Sequence, residues 1–211
     1  MTLAEHASMR RGRPRDLAKD EAILLAAGDL FMEHGYEAVS MDAVAQKAAV
    51  SKATIYARYA DKEALFRAVL THECERAVMP SSFMPDPDQS VRDVLIMLAE
   101  RFLGLVTGEK AMGMHRVLVA ESVRAPRASE LFYESAVETL KCRFAGWLRT
   151  ETARGRLDVR DPDGAAWRYL GGVKGEAHMR ASLGLSPIEP ERLRTHIENG
   201  ADEFMRAHAP R

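Results

Sequence analysis

From residue 17 to residue 208 the apolar residues recur three and four apart, and no strand-like apolar–polar alternation is sustained beyond about four or five residues. That period is the mark of amphipathic helices and excludes half-buried strands. The first stripe, Ile23, Ala26, Ala27, Leu30 and Phe31, predicts a helix over 17–34, with Gly35 as its left-handed stop. Ser40, Ser51 and Asp61 each stand where an N-cap is needed, before Met41-Val44-Ala45-Ala48, Ile55-Tyr59 and Leu65-Phe66-Val69-Leu70. The segment MPSSFMPDPDQS (79–90), with three prolines and three serines, reads as a connection. Helical periodicity resumes at 91–107, 110–123, 128–154, 162–183 and 188–208, broken at Gly108, Pro126, 155–164 and 182–187. The fold class is therefore all-α, with about nine helices.

Several classes of protein drop out. With 46% hydrophobic residues and only 14 Gly and 9 Pro in 211, the chain can build a core and is neither disordered nor fibrous. No apolar run is long enough to cross a bilayer, and MTLAEHASMRRGRPR has no apolar stretch of a secretory signal. Cys74 and Cys142 are isolated, which excludes a disulfide scaffold and fits the reduced cytoplasm expected as its location. His72 and Cys74 are two apart, a poor helical ligand spacing, so neither metal nor cofactor is expected. No G-x-S-x-G, Walker or H-E-x-x-H pattern occurs, and GGVKG (171–175) lies inside a helical stretch with no strand before it. A helical enzyme thus lacks any signature.

Net charge is −1, but the basic residues are segregated. Arg10, Arg11, Arg13 and Arg15 stand together with no acid among them, and Lys47, Lys52, Arg58 and Lys62 face Asp61 alone across 47–62. A basic arm and a short basic helix are what phosphate binding requires, whatever the global charge. The helix capped by Ser40 and the short one capped by Ser51 form a helix-turn-helix pattern, with Ala45, Ala48 and Ala49 small enough for a crosswise contact. In such a pair the second helix enters the major groove. Ser51 and the free N–H groups are then expected at phosphate, Lys52 and Thr54 at base edges, and Tyr56, Arg58 and Lys62 at the backbone.

The run RPRDLAKDEAILLAAGDLFMEHGYEAVSMDAVAQKAAVSKATIYARYADKEALFRAVL (13–70) resembles the N-terminal domain of the TetR family of transcriptional regulators. AAGDLFMEHGY (26–36), SMDAVA (40–45), VSKATIYARY (50–59) and DKEALF (61–66) carry the likeness. The resemblance implies DNA contacts at Ser40, Lys52, Thr54 and Tyr56, a phosphate contact at Lys62, and core roles for Ile55 and Tyr59. Ala49 stands where the family usually has Gly, and at positive φ would cost about 1–2 kcal/mol. Ala53 replaces a frequent Gly and can offer its methyl to thymine. Arg58 replaces an aromatic or His and is expected to add a phosphate contact. The implied organisation is a basic arm (1–15), a helix-turn-helix domain (16–76, recognition unit about 40–60) and a C-terminal effector-binding and dimerisation domain (77–211).

RVLVAESVRAPRASELFYE (116–134) resembles a segment recurring in one TetR subgroup and names no ligand. Met97, Phe102, Met112, His115, Tyr133 and Phe144 are candidates to line an effector pocket, with ordinary core packing as the competing reading. For a homodimer the candidates are Trp167, Gly171, Gly175 and His178 on one helix, and Leu193, Ile197 and Phe204 on the next. The expected function is a dimeric repressor that a small molecule releases from a near-palindromic DNA operator. The alternative is a DNA-binding structural protein of the same fold with no effector.

Overall fold

A computed structural model describes residues 14–80, 83, 85, 86, 88–124 and 126–210. Within these residues the chain is all-helical, without strands: α1 (Pro14–Ala38), α2 (Met41–Lys47), α3 (Lys52–Tyr56), α4 (Lys62–Ala77), α5 (Val91–Val106), α6 (Glu109–Glu121), α7 (Pro126–Phe132), a π-helical turn (Tyr133–Glu138), α8 (Thr139–Ala153), α9 (Pro162–Ser182) and α10 (Pro190–Ala207). Because α7, the π turn and α8 run on without a break, they make one rod. The described helices thus form nine rods, the number the periodicity requires.

The caps are local and follow from the sequence. Ser40, Ser51, Asp61, Ser90 and Asp161 each accept a hydrogen bond from the backbone N–H three residues on. Two breaks lie inside helices as bounded. Gly35 has φ 77° and ψ 169°, and Gly175 has φ 22° and ψ −128°. The first was expected as a stop; the second kinks α9 and had no signal in the periodicity.

Two cores form. Phe31, Tyr36 and Phe66 make an aromatic knot, with Phe31 edge-on to Phe66 at 4.9 Å, and Ile23, Val44, Ile55 and Leu65 surround it. Met114 and Leu118 of α6 and Leu131 of α7 enter the same core, so α1–α4 do not close it alone. The second core packs α5, α8, α9 and α10 around Phe144, Tyr169 and Phe204, with the Tyr169 hydroxyl donating to the Leu95 carbonyl at 2.9 Å.

Candidate nucleic-acid interface and adjoining cavity

The α2–α3 pair is built by small residues and caps. Val44 and Ala45 are buried beneath it and Ile55 anchors α3 at 0% exposure. The turn between them is a Schellman cap: the Val50 N–H donates to the Ala45 carbonyl (3.0 Å) and the Ala49 N–H to the Gln46 carbonyl (3.2 Å). Ala49, at the position this motif gives to glycine, has φ 52°, the one positive φ of a non-glycine residue in the described chain. The sequence-based expectation for Ala49 holds.

On the outer side Ser40, Ser51, Lys52, Ala53 and Tyr56 are exposed and Thr54 is half-buried. Ser51 Oγ accepts from the Thr54 N–H (3.1 Å) and shares a hydrogen bond with Thr54 Oγ1 at 2.8 Å, which fixes the Thr54 rotamer. Lys52 Nζ donates to Asp42 Oδ2 at 2.5 Å, across an open surface. An exposed pair of this kind is screened by solvent and contributes little, so Lys52 exchanges Asp42 for another acceptor readily.

Two residues expected at phosphate have partners within the chain. Arg58 turns back to α1, where Nη1 donates to Asp20 Oδ1 at 3.3 Å beside the Tyr59 hydroxyl, which donates to the same oxygen at 2.9 Å. Its side chain is only 21% exposed, because Asp20 offers a carboxylate at the edge of the core. Lys62 Nζ donates to the carbonyls of Tyr36 (2.9 Å) and Glu37 (3.1 Å) and stands 4.4 Å from the Tyr36 ring centroid. There it caps two carbonyls at the C-terminal end of α1. Arg10, Arg11 and Arg13 lie outside the described residues, as does the side chain of Arg15.

Beside this unit lies a cavity of about 880 Å³, within the usual range of small-molecule sites. Leu24, Leu25 and Met32 of α1 and Val69 and Leu70 of α4 form one wall; α5, α6, the π turn and α9 form the rest. Of the six pocket candidates, Phe102, Met112 and His115 line it. The other three are corrected: Met97 packs on the C-terminal core, Phe144 is 2% exposed inside that core, and Tyr133 is half-exposed with its hydroxyl on Glu138.

The expected dimer face is also redistributed. Trp167, Gly171 and His178 line the cavity together with Lys174, all on one face of α9. Gly175 lies off that face at the kink, where a Cβ would approach only the His196 ring, at 3.8 Å. Ile197 and Phe204 are buried in this chain's own core with Leu193 packed against it, so these three do not form an outer surface. Lys174 was not singled out from the sequence, although 167, 171, 174 and 178 follow the helical period; GGVKG drew notice only for its glycines.

From the cavity wall α6 runs on to α1, the helix that packs against α2. A Cβ on Gly35 would stand 3.1 and 3.2 Å from the Glu121 carboxylate oxygens and 3.2 Å from Val117. Lys110 of α6 pairs with Asp29 of α1, while Arg127 with Glu63 (2.7 and 2.9 Å) and Arg67 with Glu134 (2.7 Å) tie α4 to α7 and the π turn.

Comparison with known proteins decides the family. Residues 23–69 match "Bacterial regulatory proteins, tetR family", and residues 93–210, more than half the chain, match "AefR-like transcriptional repressor, C-terminal domain". The chain belongs to the TetR family of transcriptional regulators. The Flavonoid-responsive Regulator FrrA is 36% identical over 92% of this chain and 98% of its own, with a TM-score of 0.70. A TetR family regulator from Pseudomonas syringae pv. tomato is 26% identical over 90% of this chain and 97% of its own, with a TM-score of 0.62. The HTH-type regulator YdeS of Bacillus subtilis is 42% identical over 87 residues, 41% of each chain, and UidR of Escherichia coli K12 is 29% identical over 113 residues. The match covers 41% of the length of YdeS and 54% of that of UidR. Membership makes this a DNA-binding transcriptional regulator and not an enzyme. No helix among the described residues is long and apolar enough to cross a membrane.

Proposed function

We propose that this TetR-family chain is a homodimeric repressor released from a near-palindromic operator by a small molecule that fills the cavity. The observation that carries this reading is the shared wall: Leu24, Leu25, Met32, Val69 and Leu70 bound the cavity, and α1 and α4, to which they belong, also pack the core beneath α2 and α3. A ligand pressing on that wall changes the support of the recognition helix. A purely structural DNA-binding protein has no use for such a cavity.

Ser40, Ser51, Lys52, Ala53, Thr54 and Tyr56 are the proposed DNA contacts, being the open residues of the pair. For the dimer, the support is an open apolar end of α9, where Met179, Leu183 and Leu185 are 60, 66 and 52% exposed. The name of FrrA makes flavonoids the first ligand class to try.

Selection of bound duplexes from a random pool, followed by release with a flavonoid panel, tests the proposal. Enrichment of two half-sites centred about 34–36 Å apart or a multiple of it, and weaker binding with ligand, is expected. Binding without sequence enrichment, indifferent to every compound, is the signature of the structural alternative.

A further inference from the structure

The cavity is apolar over most of its wall but not at one end. On α9, Trp167, Gly171, Lys174 and His178 face it, and on α6 His115 does. The His115 and His178 rings meet edge-on at 5.0 Å. Lys174 is half-buried, and no carboxylate among the described residues pairs with it. Other charges on the cavity are matched or open to solvent: Asp29 pairs with Lys47 and Lys110, and Glu73 with Arg76, while Arg101 and Glu109 are exposed. The α9 end therefore gathers three basic side chains against an apolar wall, with no acid to balance them.

We infer that the effector is an apolar molecule carrying one acidic oxygen, phenolate or carboxylate, which the Lys174 ammonium receives at the end of the cavity that His115 and His178 also line. The inference rests on the ligand-release reading above and names the chemistry of that ligand. Burial lowers the Lys174 pKa and, with the Lys174 charge, those of His115 and His178; Arg116 adds to the effect on His115. Every charged neighbour that these histidines feel is a cation, so an anion relieves the end and a second cation worsens it. A neutral ligand leaves Lys174 without a partner once water is displaced. A charge-assisted hydrogen bond in such a place separates an acid from its neutral analogue by about ten- to a hundredfold in Kd.

Calorimetric titration of the full chain at pH 8 tests this with matched probes. These are 7-hydroxyflavone against 7-methoxyflavone for the phenolate, and dodecanoate against methyl dodecanoate for the carboxylate, with dodecylamine as the cationic control. The acid of at least one pair is expected to bind at least about tenfold more tightly than its neutral partner, and whichever pair discriminates identifies the acid. Lys174→Gln, at a half-exposed position, is expected to cut that ratio below about twofold while leaving the neutral partner's Kd unchanged, and Lys174→Arg to retain it. Equal binding within both pairs, preference for the amine, or equal weakening of both members by Lys174→Gln overturns the inference. In those cases neutral compounds that still displace DNA leave the ligand-release reading standing. If no probe of any charge binds or displaces DNA, both readings fall together.

Discussion

Ala49 holds a backbone conformation that this chain elsewhere gives to glycine. The same Schellman pattern closes α8 at Gly155 (φ 70°) and α9 at Gly184 (φ 69°). Ala49→Gly is therefore expected to stabilise the fold by about 0.5–1 kcal/mol, the left-handed strain removed less the added freedom of the unfolded chain. Urea unfolding reads it directly; a lower midpoint would mean that Ala49 is not strained. His178 makes a second residue-level prediction. Burial, with Lys174 and His115 beside it, pushes its pKa from 6.5 down to about 4, so the folded chain holds it neutral. The unfolded chain binds that proton first, so this stability is complete above pH 6.5 and is lost as pH falls towards 4. Above about pH 5 the carboxylates stay ionised, and the fall in melting temperature between there and pH 6.5 is expected to flatten in His178→Gln. An unchanged slope would assign it to other groups. Legibility at this scale follows range. Ser40, Ser51 and Asp61 bond amides three residues away, whereas Arg58 finds Asp20 38 residues back and Lys62 finds Tyr36 26 residues back, distances that no local pattern encodes.

At the scale of elements, α6 is the connector, since Met112 and His115 line the cavity and Val117 and Glu121 lie against Gly35. Gly35 has to be glycine twice over, for its φ of 77° and for the 3.1–3.2 Å approach of α6. Gly35→Ala is expected to cost at least about 1–2 kcal/mol of stability and to loosen α6 from α1. Thermal unfolding together with hydrogen exchange on α6 measures both, and wild-type stability in that variant would remove Gly35 from the joint. The helices themselves were legible because each stripe is local. What a stripe faces was not: α9 and α10 both read as dimer helices, yet Trp167, Gly171 and His178 border a cavity and Ile197 and Phe204 close a core. Period reveals that a face is buried or apolar, and only the packed chain reveals against what. The π turn was equally invisible, and it brings Ala136 and Val137 to the cavity wall.

At the scale of the molecule, the two cores meet at Leu105 of α5, which packs against both, and in the proposed dimer two copies hold their recognition helices at a fixed separation to read one operator. Leu183→Glu places a charge on the open end of α9 and is expected to yield folded monomers with weakened operator binding. Analytical ultracentrifugation decides it, since a dimer of wild-type affinity places the interface elsewhere. The central claim is that cavity and DNA compete for one conformational equilibrium. The affinity of the dimer for its selected duplex, measured by fluorescence anisotropy with and without a compound that calorimetry shows to saturate the cavity, tests that claim most directly. A coupling of about 1–3 kcal/mol predicts a fall of about 5- to 150-fold in DNA affinity; an unchanged affinity at full occupancy contradicts it.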